Sequence, residues 1–487
     1  MRMSQVEPSK AAVQREPISR RAVSRAAAIQ IVVRALGIIA GAAVAAIQAR
    51  SLGPYEFGAL SGVFLLVGIG TVVSDLGITS TAVSLLARGG VARPPVLTAT
   101  VLARFGLGLI FAVIAWVAAI TLLNLRSQAV LVALVLSTLP MGALIGLQSV
   151  AIADLRLSVQ NAILAFQSGG WLVAVVIVAG LDLPIVWYGV TYLALTLAQG
   201  GLVLWLCRDT AWLSLRAGVR ELRPLLRQAI PLGLGAIGVT AYYRLTGIVL
   251  LAIAGPTQFA QYAVAFRLLE AMQVLPATLS SVYLPLLSRA FGDSSARRRV
   301  WGRLVRLTLA SAIVAVGCAA AGASGFISWM FGTEFEEAGT IFAVLVWSFV
   351  PGMLGWLVTS ALTAARQVRA YAVVTVVGGA VSLGISVLLV PSYGASATAW
   401  IAVGTETAIV TALLVLLHAR AGLGIGWRSC AQALIIAVVM WATTGLLDFA
   451  PYWVVVAVVG VVGVSASFVS RLVSTADVRL FLSRRLA

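Results

Sequence analysis

Lysine is almost missing from this 487-residue chain: Lys10, in a polar N-terminal stretch, is the only one. A phosphate-binding loop of the Gly-rich, Lys-Ser/Thr type needs a lysine downstream of its glycines. ATP hydrolysis by that route is therefore excluded. Histidine is equally scarce, with His418 alone. A Ser-His triad or a His-ligated zinc hydrolase is disfavoured, and no metal site is expected. The three cysteines, Cys207, Cys318 and Cys430, are scattered along apolar runs and make no disulfide framework. Charge of either sign is thin, at 10% of residues, against roughly 25% in soluble domains. Substantial polar loops are missing too, and a membrane glycosyltransferase would need acidic residues in one. No cofactor is implied.

What the chain has instead is apolar length. It is 61% hydrophobic, with a mean hydropathy of +1.04. Runs of about 20 residues, each enough to cross the hydrocarbon core, recur from end to end. They do not alternate apolar with polar as barrel strands do. The expectation is an all-α polytopic membrane protein with about 14 transmembrane helices. A net charge of +18 would suggest nucleic acid in a soluble chain. Here it reads as the cytoplasmic excess of Lys and Arg, with no nucleic-acid partner. With the N-terminus placed inside and the spans alternating, the predicted outer loops hold only Arg50 and Arg126. Arg216, Arg220, Arg223, Arg227 and the run Arg297 to Arg299 fall inside, and Glu334, Glu336 and Glu337 outside. That separation implies an even span count with both termini cytoplasmic. Trp187, Trp205, Trp212, Trp301, Trp329, Trp427 and Trp453 stand near span ends, as an interfacial belt.

The chain also repeats itself. LGPYEFGALSGVF (Leu52 to Phe64) returns 202 residues later as AGPTQFAQYAVAF (Ala254 to Phe266), keeping the Gly-Pro pair and both phenylalanines. LLAR, ending at Arg88, returns as LLSR, ending at Arg289. In membrane transporters such repeats mark two packed halves with a site between them. The boundaries read as a basic cytoplasmic tail 1–25, a first half 26–206, a cytoplasmic amphipathic linker 207–227, a second half 228–418, two additional spans within 419–470 and a tail 471–487. In the linker, Leu215, Val219, Leu222 and Leu226 recur at helical spacing opposite Arg216, Arg220 and Arg223, as in a helix lying on a leaflet.

Ionisable residues inside spans cost about 2.5–3.5 kcal/mol each at a helix centre, so they face cavities or partners rather than lipid. Arg34, Arg244, Arg267, Glu270 and Glu406 lie within predicted spans, and Asp75 near the inner end of the second. Arg34 and Arg244 could instead snorkel to an interface. Arg267 and Glu270, three residues apart, could be an internal ion pair, and Asp75 a capping group. Glu406 either meets an arginine from another span or is protonated. If Arg34, Arg244 and Arg267 share a cavity, arginine outweighs acid there. The planar guanidinium fork then suits a phosphate, and the expected substrate is anionic and membrane-associated. Asp75 and Glu406 are the candidates for ion coupling. Pro276 offers a bend point.

Four stretches resemble a known family: Ala49 to Gly77, Ala229 to Arg289, Phe331 to Arg369, and the Gly-Ala segment Leu388 to Ala408. In this order they resemble bacterial polysaccharide flippases of the Wzx type, in the multidrug/oligosaccharidyl-lipid/polysaccharide exporter superfamily. The resemblance covers roughly residues 26–418. It implies two pseudo-symmetric six-helix bundles around a central cavity, to which this chain adds two C-terminal helices. It also implies alternating access and export of polyprenyl-pyrophosphate-linked saccharide across the bacterial cytoplasmic membrane for cell-surface polysaccharide. By position Arg267 and Glu270 match the family's Tyr-Arg-Leu-Ala-Glu-like segment. Arg244 matches the arginine of an Asp-Arg pair, with Tyr243 standing where that pattern has the acid. The partners implied are the lipid-linked saccharide, membrane lipid and proteins of cell-envelope polysaccharide synthesis. Two other readings are carried beside the flippase. A drug or metabolite/cation antiporter of the same superfamily predicts acid outweighing arginine in the cavity. A non-transporting scaffold predicts silent cavity substitutions.

Overall fold

Three glycines turn the longest helices back on themselves. In this computed structural model, described for residues 20–88, 92–208, 213–290, 293–365, 368–447, 450–470 and 472–473, α1 (Arg20–Asp75) reverses at Gly53, where φ is 67°. Further along, α9 (Leu215–Met272) reverses at Gly255 and α15 (Val368–Ala421) at Gly394, with φ of 79° and 54°. A side chain at such an angle is strained, so glycine occupies all three. Pro54 and Pro256 follow the first two and open the returning arm, where a missing N–H costs nothing. The reversals are visible in cross-arm contacts. A Cβ on Gly247 would meet Phe259 at 3.4 Å across the Gly255 turn, and one on Gly378 would meet Ile409 across Gly394. Gly37 and Phe64, from opposite arms of α1, meet Ser168 and Trp171 of one later helix, Leu157–Gly180.

Between these hairpins run α2 (Ile78–Arg88), α3 (Arg93–Thr121), the broken span α4 (Ala129–Leu136), α5 (Thr138–Met141) and α6 (Gln148–Ala153), then α7 (Leu157–Gly180) and α8 (Val186–Leu206). After α9 come α10 (Val274–Ala290), α11 (Ser294–Ala321), α12 (Ala323–Phe331), α13 (Glu336–Leu345) and α14 (Phe349–Ala364). Beyond α15, the chain ends in α16 (Trp427–Leu446) and α17 (Tyr452–Val469). No strand occurs among the described residues. Among the described residues, eleven stretches are long and apolar enough to cross a membrane. Three of them contain one of the glycine reversals, which gives the fourteen expected passes.

The two halves meet along one seam, where the returning arm of α1 lies antiparallel to the first arm of α9. Small residues let the backbones approach. Gly58 lies against the Pro256 carbonyl, and a Cβ on Gly62 would meet Leu251 at 2.6 Å. Leu65 faces Gly247, and a Cβ on Gly77 would be 2.8 Å from the Ala229 carbonyl. The seam is thus closed at both ends. We call the end with the glycine turns the turn face and the opposite end, rich in arginine, the basic face. On the turn face Arg50 of α1 donates to the carbonyls of Trp329 and Met330 in α12, and Phe57 meets Phe335 edge-on at 5.6 Å.

Several local expectations are refined. Helix begins at Arg20, inside the stretch read as tail, whereas residues 1–19 and 474–487 lie outside the described residues. The segment read as a linker on the leaflet opens α9 and runs into the next span without a break. Its Ser214 N–H donates to Thr98 of α3 at 2.8 Å. Leu222, Leu225 and Leu226 pack with Ile78, Ala99 and Ala103, leaving Leu215 and Val219 outward. Trp301 is no belt residue: it is 2% exposed and donates its indole N–H to the Gly424 carbonyl. Trp205, Trp329, Trp427 and Trp453 do stand outward at helix ends, and Trp212 lies outside the described residues. The additional helices α16 and α17 clasp α11, with Met440 over Gly317 and Val456 over Gly322 at its end, and Tyr452 reaches Gly325 of α12.

Candidate functional site

The hairpin at Gly255 brings three charges together in the membrane interior. Arg267 and Glu270 sit one turn apart on the returning arm of α9 and share a face. Arg244 comes from the first arm. Glu270 lies between them: its Oε1 is 3.7 Å from Arg244 Nη2, and its Oε2 accepts a hydrogen bond from Arg267 Nη1 at 3.4 Å. The chain breaks just beyond, at Gln273 between α9 and α10, and Pro276 follows in the first turn of α10. The side chains of Arg244, Glu270 and Arg267 are 30%, 37% and 51% exposed. Lipid does not solvate such groups, so this exposure faces a wet space between helices.

Room for Arg244 is made by the other half of the molecule. A Cβ on Gly68, in the returning arm of α1, would come within 2.6 Å of Arg244 Nη1. Position 68 is the repeat counterpart of Glu270, so the two copies have diverged into a slot and the acid that faces it. This glycine carries no signal of its own in the sequence, and only the seam shows what it does.

Two cavities flank the triad. One of about 60 Å³ crosses the seam: Ser61, Phe64 and Leu65 come from the first half, and Arg244, Arg267 and Glu270 from the second. The other, about 470 Å³, is walled by helices of the second half alone and takes in Arg244, Glu270, Gln273, Ser348, Ser382 and Glu406. Glu406 belongs to the returning arm of α15 and is 8% exposed. Its Oε1 lies against Gly352 and Gly355 of α14, where Cβ atoms would stand at 3.6 and 3.8 Å. Among the described residues the charged lining is therefore two arginines and two glutamates, not arginine in excess. Arg34 is on the first arm of α1, but its side chain lies outside the described residues, as does that of Tyr243.

Asp75 is elsewhere. At the basic face its Oδ1 accepts from Arg104 Nη1 at 2.6 Å and from the Thr79 hydroxyl. Arg104, 12% exposed, comes from α3 and also donates to Thr79 at 2.7 Å. The adjoining Leu76 and Gly77 both have positive φ, 40° and 75°, so the network sits on a sharp break between α1 and α2. The sequence reading missed Arg104, although its place inside the predicted third span was the available signal.

Comparison with known proteins agrees with this architecture. The family model described as "Polysaccharide biosynthesis protein" matches residues 23–291, a stretch holding both repeats and the whole Arg244–Arg267–Glu270 triad. No curated protein matches. Among solved structures, the lipid II flippase MurJ in an inward closed conformation is similar at a TM-score of 0.74 and 10% identity, covering 94% of this chain and 100% of that one. An inward-facing multidrug resistance MATE family transporter of the MOP superfamily follows at 0.60 and 16%, covering 79% and 94%. A Vibrio cholerae MATE transporter scores 0.53 at 13%, covering 82% and 98%. These likenesses carry the fold alone, an all-α two-bundle membrane architecture. With the model matching more than half of the sequence, the chain belongs to the polysaccharide biosynthesis protein family.

Proposed function

We propose that this membrane transporter is a flippase for polyprenyl-(pyro)phosphate-linked saccharide in the bacterial cytoplasmic membrane. Both termini and the basic face are cytoplasmic in this reading, which the excess of arginine at that face supports. The observation that carries the reading is the pair Arg244 and Arg267 converging on Glu270 at the seam. Guanidinium groups are the side chains best matched to phosphate oxygens. In the closed state Glu270 is their counter-ion. An entering phosphate takes its place, so the wet interior never holds two uncompensated arginines. The prenyl chain stays in lipid, and rocking of the halves across the seam moves the head group from the basic face to the turn face. Residues 26–206 and 228–418 are the moving units in this scheme. Proteins of cell-envelope polysaccharide synthesis are the partners that supply and consume the substrate.

In a flipping assay with inverted membrane vesicles, Arg267→Ala is expected to abolish transport while folded protein is retained. Unchanged transport would remove Arg267 from the site. Glu406 beside Glu270 in the larger cavity favours a second reading, a drug or metabolite/cation antiporter. Proteoliposomes that expel an organic cation against an imposed sodium or proton gradient, with loss in Glu406→Gln, would favour it. If cavity variants are silent in both assays, a scaffold role is what is left.

A further inference from the structure

An aromatic cluster backs the seam cavity through Phe64, the ring that lines it. Phe64 of α1, Trp171 of α7 and Tyr192 of α8 pack mutually edge to face. Their ring centroids are 5.7, 4.9 and 5.1 Å apart and their planes 70° to 83° from parallel. All three are only partly buried. Phe64 lines the cavity that holds Arg244, Arg267 and Glu270, and Arg267 is within electrostatic reach of the Tyr192 hydroxyl. Phe64 is also the last residue of the internal repeat. Its counterpart Phe266 lines the same cavity from the second half. Three large rings at right angles to one another make a corner that presents ring faces and ring edges together. Phe64 thus joins this cluster to the Arg244, Arg267 and Glu270 charges at the seam.

We propose that Phe64, Trp171 and Tyr192 form the saccharide wall of the site, receiving the sugar ring next to the phosphate held by Arg244 and Arg267. This rests on the flippase reading above. A pyranose has one face rich in C–H bonds and a rim of hydroxyls. The C–H face stacks on an aromatic ring, whose face is negative and whose edge is positive. The Tyr192 hydroxyl offers the rim a hydrogen bond, as the polar groups of apolar binding sites commonly do. The two halves thereby divide the head group: the second binds the anion and the first binds the sugar. The seam cavity, at about 60 Å³, has room for only a few waters in this closed state. The wall therefore meets the sugar once the halves part at the basic face. Rings held edge to face by one another lose little freedom on binding, which favours affinity.

The test uses the full-length protein in lipid nanodiscs with two radiolabelled probes. One is undecaprenyl pyrophosphate, and the other is the same lipid carrying one N-acetylhexosamine. The wild type should bind the glycosylated probe about tenfold more tightly than the bare one. Trp171→Ala should erase that margin and leave the bare lipid bound as before. Trp171→Phe should keep most of it, which guards against misfolding of the alanine variant. Arg267→Ala should weaken both probes. A margin that survives Trp171→Ala, a wild type that does not distinguish the probes, or a variant that loses both equally would each overturn the sugar wall while leaving the flippase reading in place. A wild type that binds neither probe would overturn the flippase reading itself.

Discussion

At the scale of single residues, Gly68 decides where Arg244 ends up. Adding one methyl there puts a carbon 2.6 Å from the guanidinium, and the flexible arginine, not the backbone, would give way. Gly68→Ala should therefore leave the thermal unfolding midpoint nearly unchanged yet lower transport by about tenfold or more, toward the roughly hundredfold that an ångström of misplacement can cost. Asp75 behaves in the opposite sense. It is bound to the buried Arg104, so Asp75→Asn strips a buried cation of its counter-charge. The expected loss is about 3 kcal/mol, the low end for a broken buried pair because the amide still accepts a hydrogen bond. A large drop in stability with per-molecule transport retained would mark Asp75 as structural. Transport lost at full stability would restore the coupling role that its place in the sequence suggested.

Helices were the most legible level of this sequence, for a plain reason. Lipid demands about 20 apolar residues per crossing, and each demand is written out in full. The Gly-Pro turns at 53 and 255 were equally plain, because few other residue pairs fit a positive φ followed by a helix start. The short range of side chains was not legible. Nothing in the order of residues says that Trp301 reaches Gly424, that Arg104 turns inward to Asp75, or that Glu406 enters the cavity of Arg244. Each depends on which helix happens to pass within 4 Å. The element scale also yields a pH prediction at the start of α11. Asp293 caps that helix by accepting from the Ser295 N–H at 2.7 Å. That backbone hydrogen bond, with help from the Ser295 hydroxyl, holds its carboxyl below the usual range. The folded state thus prefers the ionised form. The contribution is present above the ordinary aspartate pKa and fades as pH falls through the lowered one. Hydrogen-exchange protection factors at Ala296 to Arg298, with the intrinsic pH dependence divided out, should fall on acidification in the wild type. In Asp293→Ala they should be low at every pH.

For the whole molecule, the seam is the feature that any transport cycle must break. At the turn face the backbones touch where Gly58 meets the Pro256 carbonyl, with no space for even a methyl group. Gly58→Ala should wedge the halves apart at that end. Spin labels at the outward-facing positions Tyr55 and Trp329, in a cysteine-free background, should then report a longer distance or a second population by pulsed electron resonance. A single unchanged distance would show that the seam yields elsewhere.

The clasp of α16 and α17 on α11 bears on how such motion could be followed. These two helices grip the second half and make their main contacts with that one neighbour. They are a passenger: whatever path α11 takes through the bilayer, the pair is carried along its outer flank. A reporter attached near Trp441, outward on α16, would ride with the second half and leave the seam and its charges untouched.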